Sequence, residues 1–293
     1  MPNSRKIIGI TIVVIIVAAF AVAYLFSSGG GKGGTQQVET QVWWIASDPH
    51  VGHSTMQIPD EALQVGIKDV NEYVENTENI KVDHAAILGD LIHESSQYRG
   101  MLFQDMGNLK VENWYYVLGN HDFSGGENIL PVFYSGIDVV GIRFVFISTE
   151  AGGGSVSDGV MGENQFNWLR TELETHKNQP IFLFSHQPYR DWNVWDNLAP
   201  LIQSEANVNV WFCGHIHEWI INENVKPYNF IEVCDRSLDW AGHYNGVFMF
   251  LQRKGDTVNV TIKFRNHHSH TWISVPTVDN RTIENISFSV KVA

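Results

Sequence analysis

Seven side chains able to hold a metal stand just past short apolar runs: Asp48, His50, Asp90, Asn120, His186, His215 and His217. Two carboxylates, four imidazoles and one amide oxygen make a mixed nitrogen and oxygen set. Such sets suit first-row divalent or trivalent ions such as Mn, Fe, Zn or Ni. No thiolate belongs to the set, which argues against a structural zinc site. Seven ligands are too many for one ion and suit two, with one carboxylate bridging them. Asp48 and His50 are two residues apart, so on an extended segment both would point the same way. His215 and His217 repeat that spacing. Gly89, Gly119 and Gly214 adjoin ligands, where the lack of a Cβ lets the chain turn sharply and approach closely.

The elements that must position these residues follow from hydrophobic pattern. Val42 to Ala46, Ala85 to Leu88, Trp114 to Leu118, Ile142 to Ser148, Pro180 to Phe184 and Val208 to Phe212 read as strands. Pro59 to Asn76 and Gln165 to Thr175 carry apolar residues at helical spacing. Strand, polar cluster and helix recur, which predicts an α/β domain with helices covering central sheets. In open sheets of this kind ligands bind beyond the strand ends, where the seven residues gather. From about residue 229 the pattern is mostly β, with strands expected over Phe230 to Val233, Val247 to Gln252, Val258 to Arg265, Thr271 to Val275 and Ile286 to Val292. That part either completes a second sheet or forms an appended β element.

The ordered series Asp48-Pro49-His50, Gly89-Asp90, Gly119-Asn120-His121-Asp122, His186 and Gly214-His215-Ile216-His217 resembles the calcineurin-like metallophosphoesterase family. The stretch from Gly162 to Leu173 is similar to the helix between that family's third and fourth motifs. The resemblance runs from about residue 41 to about 220. It implies a two-sheet β-sandwich flanked by helices, here with additional C-terminal strands. It also implies that Asp48, His50 and His217 hold one metal, that Asn120, His186 and His215 hold the other, and that Asp90 bridges them. His121 would face the substrate phosphate, and Asp122 would orient His121 and fix its tautomer. The expected function is hydrolysis of a phosphomonoester or phosphodiester by attack of a metal-bridging hydroxide. The alternative is a non-catalytic anchored scaffold or receptor that keeps the fold. Purple acid phosphatases place a metal-binding Tyr three residues after the bridging Asp. His93 stands there instead, which argues against an iron–tyrosinate enzyme and makes His93 a candidate for substrate contact.

Composition bounds where this happens. Residues 7–26 form an apolar run without a charged side chain, preceded by Arg5 and Lys6. Twenty such residues cross a bilayer core. The positive flank keeps residues 1–6 cytoplasmic and sends the rest outward. Residues 27–40 read as a Gly-rich linker and 41–293 as the phosphoesterase domain. The rival reading is a signal peptide cleaved near Ala21-Val22-Ala23, which would release a secreted protein. The whole chain carries a formal net charge of −13. An acidic surface repels a phosphate backbone, so no nucleic acid partner is expected.

Other residues are candidates with plain alternatives. Arg190 lies in an aromatic segment, Tyr189 to Trp195, that either holds a substrate phosphate or packs on its own domain. His53 either lines the pocket or sits on the surface. His267, His268 and His270 form a cluster with no carboxylate near in sequence, and are expected to be solvated. Cys213 and Cys234 either pair or remain buried thiols. Asn259, Asn280 and Asn285 begin N-x-S/T sequons.

Overall fold

The computed structural model describes residues 38–53, 58–124, 127–148, 159–204, 206–239 and 242–293. The expected membrane span, residues 7–26, lies outside the described residues. Among the described residues no helix is long and apolar enough to cross a membrane.

Alternating side chains along Glu39–Ala46 explain the layering. Trp43 and Ile45 point into one core, and Val42, Trp44 and Ala46 point into another. A strand that is apolar on both faces must be covered on both faces. One cover is a second sheet and the other is a pair of helices. The seven-stranded sheet runs Thr271–Ile273, Thr257–Asn266, Asn245–Lys254, Glu39–Ala46, His84–Leu88, Asn113–Val117, with Asn285–Lys291 also paired to Thr257–Asn266. The six-stranded sheet runs Ile220–Val225, Phe230–Cys234, Val208–Cys213, Ile181–Ser185, Ile142–Ile147, Ser135–Val139. Phe144, Phe146, Phe182, Phe184 and Phe212 fill the space between the sheets together with Trp43, Met249 and Ile262. Truncating one such phenylalanine to alanine would cost about 3–5 kcal/mol.

The helices Glu61–Lys68 and Arg99–Met106 cover the outer face of the first sheet through Leu63, Ile67, Leu102 and Met106. Glu163–Thr175 and Trp195–Ser204 cover the second through Leu169, Leu173, Leu198 and Ile202. The C-terminal strands do not form a separate element. Asn245–Lys254 pairs with Glu39–Ala46, and Phe230–Cys234 pairs with Val208–Cys213. Three strands of the first sheet are parallel, as are four of the second. Their C-terminal ends carry the polar clusters.

Two expectations need correction. The helix read over Pro59 to Asn76 is α-helical only to Lys68 and continues as a wider π-helical turn, Asp69–Val74. That turn carries buried Asp69, which accepts hydrogen bonds from Arg265 and from Nδ1 of His267 and His270, both at 2.8 Å. His267 is therefore buried, and its Nε2 accepts the indole N–H of Trp44 at 3.1 Å. The solvated cluster expected from sequence missed this carboxylate because it lies 198 residues away along the chain. Cys213 and Cys234 are joined in a disulfide between directly paired parallel strands. All three sequon asparagines are exposed.

Candidate metal centre

The parallel strands deliver their ends to one place. Glu39–Ala46 leads to Asp48 and His50, His84–Leu88 to Asp90, and Asn113–Val117 to Asn120 and His121. From the opposite sheet, Ile181–Ser185 leads to His186, and Val208–Cys213 leads to His215 and His217. The extended segments expected at the two paired motifs are not what aims them. Asp48 (φ 52°), His50 (φ 43°), Asp90 (φ 48°), His215 (φ 68°) and His217 (φ 55°) all adopt left-handed backbone. Each such non-glycine residue costs about 1–2 kcal/mol, and it persists only where its surroundings demand it. The kinks bring both members of each paired motif to the same cluster.

The ligand atoms fall into two groups that share one residue. Asp48, His50, Asp90 and His217 form one, and Asp90, His186 and His215 the other. Asp48 Oδ1 lies 3.0 Å from His217 Nε2 and 3.9 Å from both His50 Nε2 and His186 Nδ1. Asp90 Oδ2 lies 3.2 Å from His186 Nε2 and 3.6 Å from His50 Nε2. Asn120 Oδ1 joins the second group, 3.1 Å from His186 Nε2. His186 Nδ1 donates to the Leu88 carbonyl at 2.8 Å, so Nε2 is the nitrogen turned toward Asp90 and Asn120.

The donor set fits divalent ions. Asp48 and Asp90 are fully buried, and among the described residues their ion-pair partners are all histidines. Two buried carboxylates without a lysine or arginine need cationic charge from elsewhere. Burial disfavours the His186 cation, yet Asp90 and Asp48 outweigh it and raise the imidazole to about 9. Burial instead pushes His50 and His215 down to about 4, as ligating imidazoles require. Several ligand separations exceed hydrogen-bond length, which suits atoms arranged around an ion.

Close packing shapes the cradle. A Cβ on Gly119 would lie 2.2 Å from Asp90 Oδ1, and one on Gly89 (φ 79°) would lie 2.5 Å from the His186 ring. Only glycine lets these segments pass.

His121 sits at the open edge, its ring centroid 5.0 Å from that of His50. Its backbone N–H donates to Asp90 Oδ1 at 2.7 Å. Its Nδ1 pairs with Glu94 at 2.9 Å. Among the described residues, the hydrogen bonds of the expected orienting partner, Asp122, are to backbone and not to this ring. Asp122 is fully buried and accepts the backbone N–H groups of Ile92 at 2.8 Å and Gly119 at 2.9 Å. It ties the Asp90 loop to the Asn120 loop, a role set by its inward direction from the strand end. Glu94 was missed because a loop glutamate four residues after Asp90 carries no motif.

His93 lies in the same region. Its Nδ1 is 3.3 Å from His50 Nδ1, and its ring stacks on His121 with centroids 4.8 Å apart. Arg190 is placed elsewhere. It is exposed, its Nε donates to the Tyr189 hydroxyl at 2.6 Å, and it covers that ring. Tyr189 and Trp192 are buried against the outer face of the six-stranded sheet with Trp211 and Phe230. The aromatic segment therefore packs on its own domain, and none of Arg190's described contacts is with a residue of the metal cluster.

A family model for calcineurin-like phosphoesterases matches residues 43–219. No curated protein sequence matches the chain. Among solved structures, a dimetal phosphatase from Danio rerio is similar over 86% of this chain and 99% of its own, at 14% identity and a TM-score of 0.57. Purple acid phosphatase PPD1 from yellow lupin is similar over 87% of this chain and 54% of its own, also at 14% identity and a TM-score of 0.57. These likenesses show the shared fold, and the family match spans more than half of the sequence. The chain belongs to the calcineurin-like phosphoesterase family.

Proposed function

We propose that this chain is a binuclear-metal phosphoesterase on an N-terminal membrane anchor, hydrolysing a phosphomonoester or phosphodiester. The observation that carries the reading is the convergence of two ligand groups on a shared, buried Asp90. In this reading Asp48, His50 and His217 hold one ion, and Asn120, His186 and His215 hold the other. Ions held there would supply an activated water near neutral pH and positive charge for the phosphoryl oxygens. The His121 ring, at the open edge, donates a proton or hydrogen bond to the leaving oxygen. Glu94 holds that ring, and Asp122 holds the loop that carries it.

The Cys213–Cys234 disulfide supports an oxidising compartment, in keeping with an anchor that sends residues 27–293 outward. The acidic balance of the chain weighs against nucleic acid as substrate.

The test is metal content together with hydrolysis of p-nitrophenyl phosphate and bis-p-nitrophenyl phosphate. We expect two ions per chain at this centre and cleavage of at least one ester. Both should be lost in Asp90→Asn. Two bound ions with neither ester cleaved would favour an anchored scaffold.

A further inference from the structure

We propose that Asp239 and His53 form a third divalent-cation site beside the binuclear centre. Asp239 is 98% buried, and neither of its carboxylate oxygens has a hydrogen-bond partner among the described residues. A buried carboxylate in that condition needs a proton donor or a cation. His53 Nδ1 lies 3.7 Å from Asp239 Oδ2. That is beyond a hydrogen bond. It falls within the 3.0–3.9 Å range that Asp48 keeps from the nitrogens of His217, His50 and His186. Two atoms at such a separation suit shared coordination of one small ion.

Both residues are fixed relative to the main centre. The backbone N–H of His53 donates to the His50 carbonyl at 2.9 Å, and that of Asp239 donates to the Asp48 carbonyl at 3.2 Å. His93 is the next imidazole, its ring centroid 4.4 Å from that of His53. One carboxylate oxygen with imidazole nitrogen suits Zn or Mn. Two protein ligands leave coordination positions for water or for an oxygen of the substrate's leaving group. The site would thus favour substrates whose leaving group carries its own anionic oxygen. It adjoins the centre proposed above but stands on its own residues.

The test is equilibrium dialysis of the whole chain against buffered Zn²⁺ and, separately, Mn²⁺, counting bound ions by mass spectrometry. Asp239→Asn and His53→Ala should each bind one ion fewer per chain than the parent, with the fold checked by circular dichroism. Equal counts in parent and variants overturn the site. So does a loss of more than one ion in folded His53→Ala, which would place that residue in the binuclear centre. If Asp239→Asn does not fold, His53→Ala alone decides. A parent that binds a single ion, lost in these variants, would sink the binuclear reading and leave the third site standing.

Discussion

Glu94 holds His121 from two sides: its carboxylate meets the ring Nδ1 at 2.9 Å, and its backbone N–H donates to the His121 carbonyl at 3.0 Å. A carboxylate on Nδ1 directs the ring and leaves Nε2 for a substrate oxygen. Glu94→Gln should lower kcat by about 10-fold with little change in KM. His121→Asn should lower it by about 100-fold or more. Metal content should be unchanged in both. Full turnover in His121→Asn would remove the assigned role.

The Gly119 cradle predicts a failure of assembly. A methyl group there meets Asp90 Oδ1 at 2.2 Å and the Asp90 backbone nitrogen at 2.4 Å. Neither can retreat, because Asp90 is buried and bonded to His121 and His186. Gly119→Ala should therefore lose ions as well as activity, and overpacking should destabilise the fold by about 1–3 kcal/mol. Retention of both ions in a dialysed, folded variant would contradict this.

A carboxylate pair away from the centre makes a pH prediction. Burial, and then the neighbouring Asp60, raises Asp105 to about 7 from an ordinary value of 3.8. The unfolded chain releases that proton near pH 4, while the folded chain keeps it. Stability from the protonated form is thus fully present below about pH 4 and is lost as pH rises through 7. Asp105→Asn should gain about 1–2 kcal/mol over the parent at pH 8 and nothing at pH 4, a figure discounted for screening. Melting curves at the two pH values check it.

The disulfide lies directly before Gly214-His215-Ile216-His217 on one strand and before Asp235 on the other. Asp235 accepts the backbone N–H of Ser47 at 3.1 Å, next to Asp48. Its two cysteines are 21 residues apart, and closing such a loop contributes about 3 kcal/mol. Cys213→Ser with Cys234→Ser should be less stable by about that free energy, seen as a lower melting temperature, and should release ions at lower chelator concentration. Equal chelator sensitivity would show that the bond steadies the fold without steadying the ligands.

Much of this was legible in the sequence where side-chain pattern and local structure agree. Val42 to Ala46 and Val208 to Phe212 are apolar enough to be read as buried strands, and the ligands follow them in order. Arg99–Met106 escaped notice because only Leu102, Asp105 and Met106 face inward, too few for an apolar stripe. Trp195–Ser204, with Pro200 inside it, carries no uninterrupted helical pattern and begins only where the aromatic segment Tyr189 to Trp195 ends. Ser135–Val139 is an edge strand with a glycine and an aspartate, and its pattern is weak. The left-handed kinks at Asp48 and His50 leave no mark in composition, since neither residue is glycine. Asp69 could not be matched to His267 without the fold, and Glu94 could not be matched to His121.

The ligands come from both layers of the sandwich. Asp48, His50, Asp90 and Asn120 hang from the seven-stranded sheet, and His186, His215 and His217 from the six-stranded one. An ion held between them is a rivet through the two layers at one rim. Occupancy and closure of that rim then become a single equilibrium, because binding that needs both layers stabilises only the closed form. In the proposed reading, stripping such ions would free the sheets to part there while the phenylalanine-packed interior still holds. Hydrogen exchange at the strand ends would therefore report occupancy as directly as a metal count.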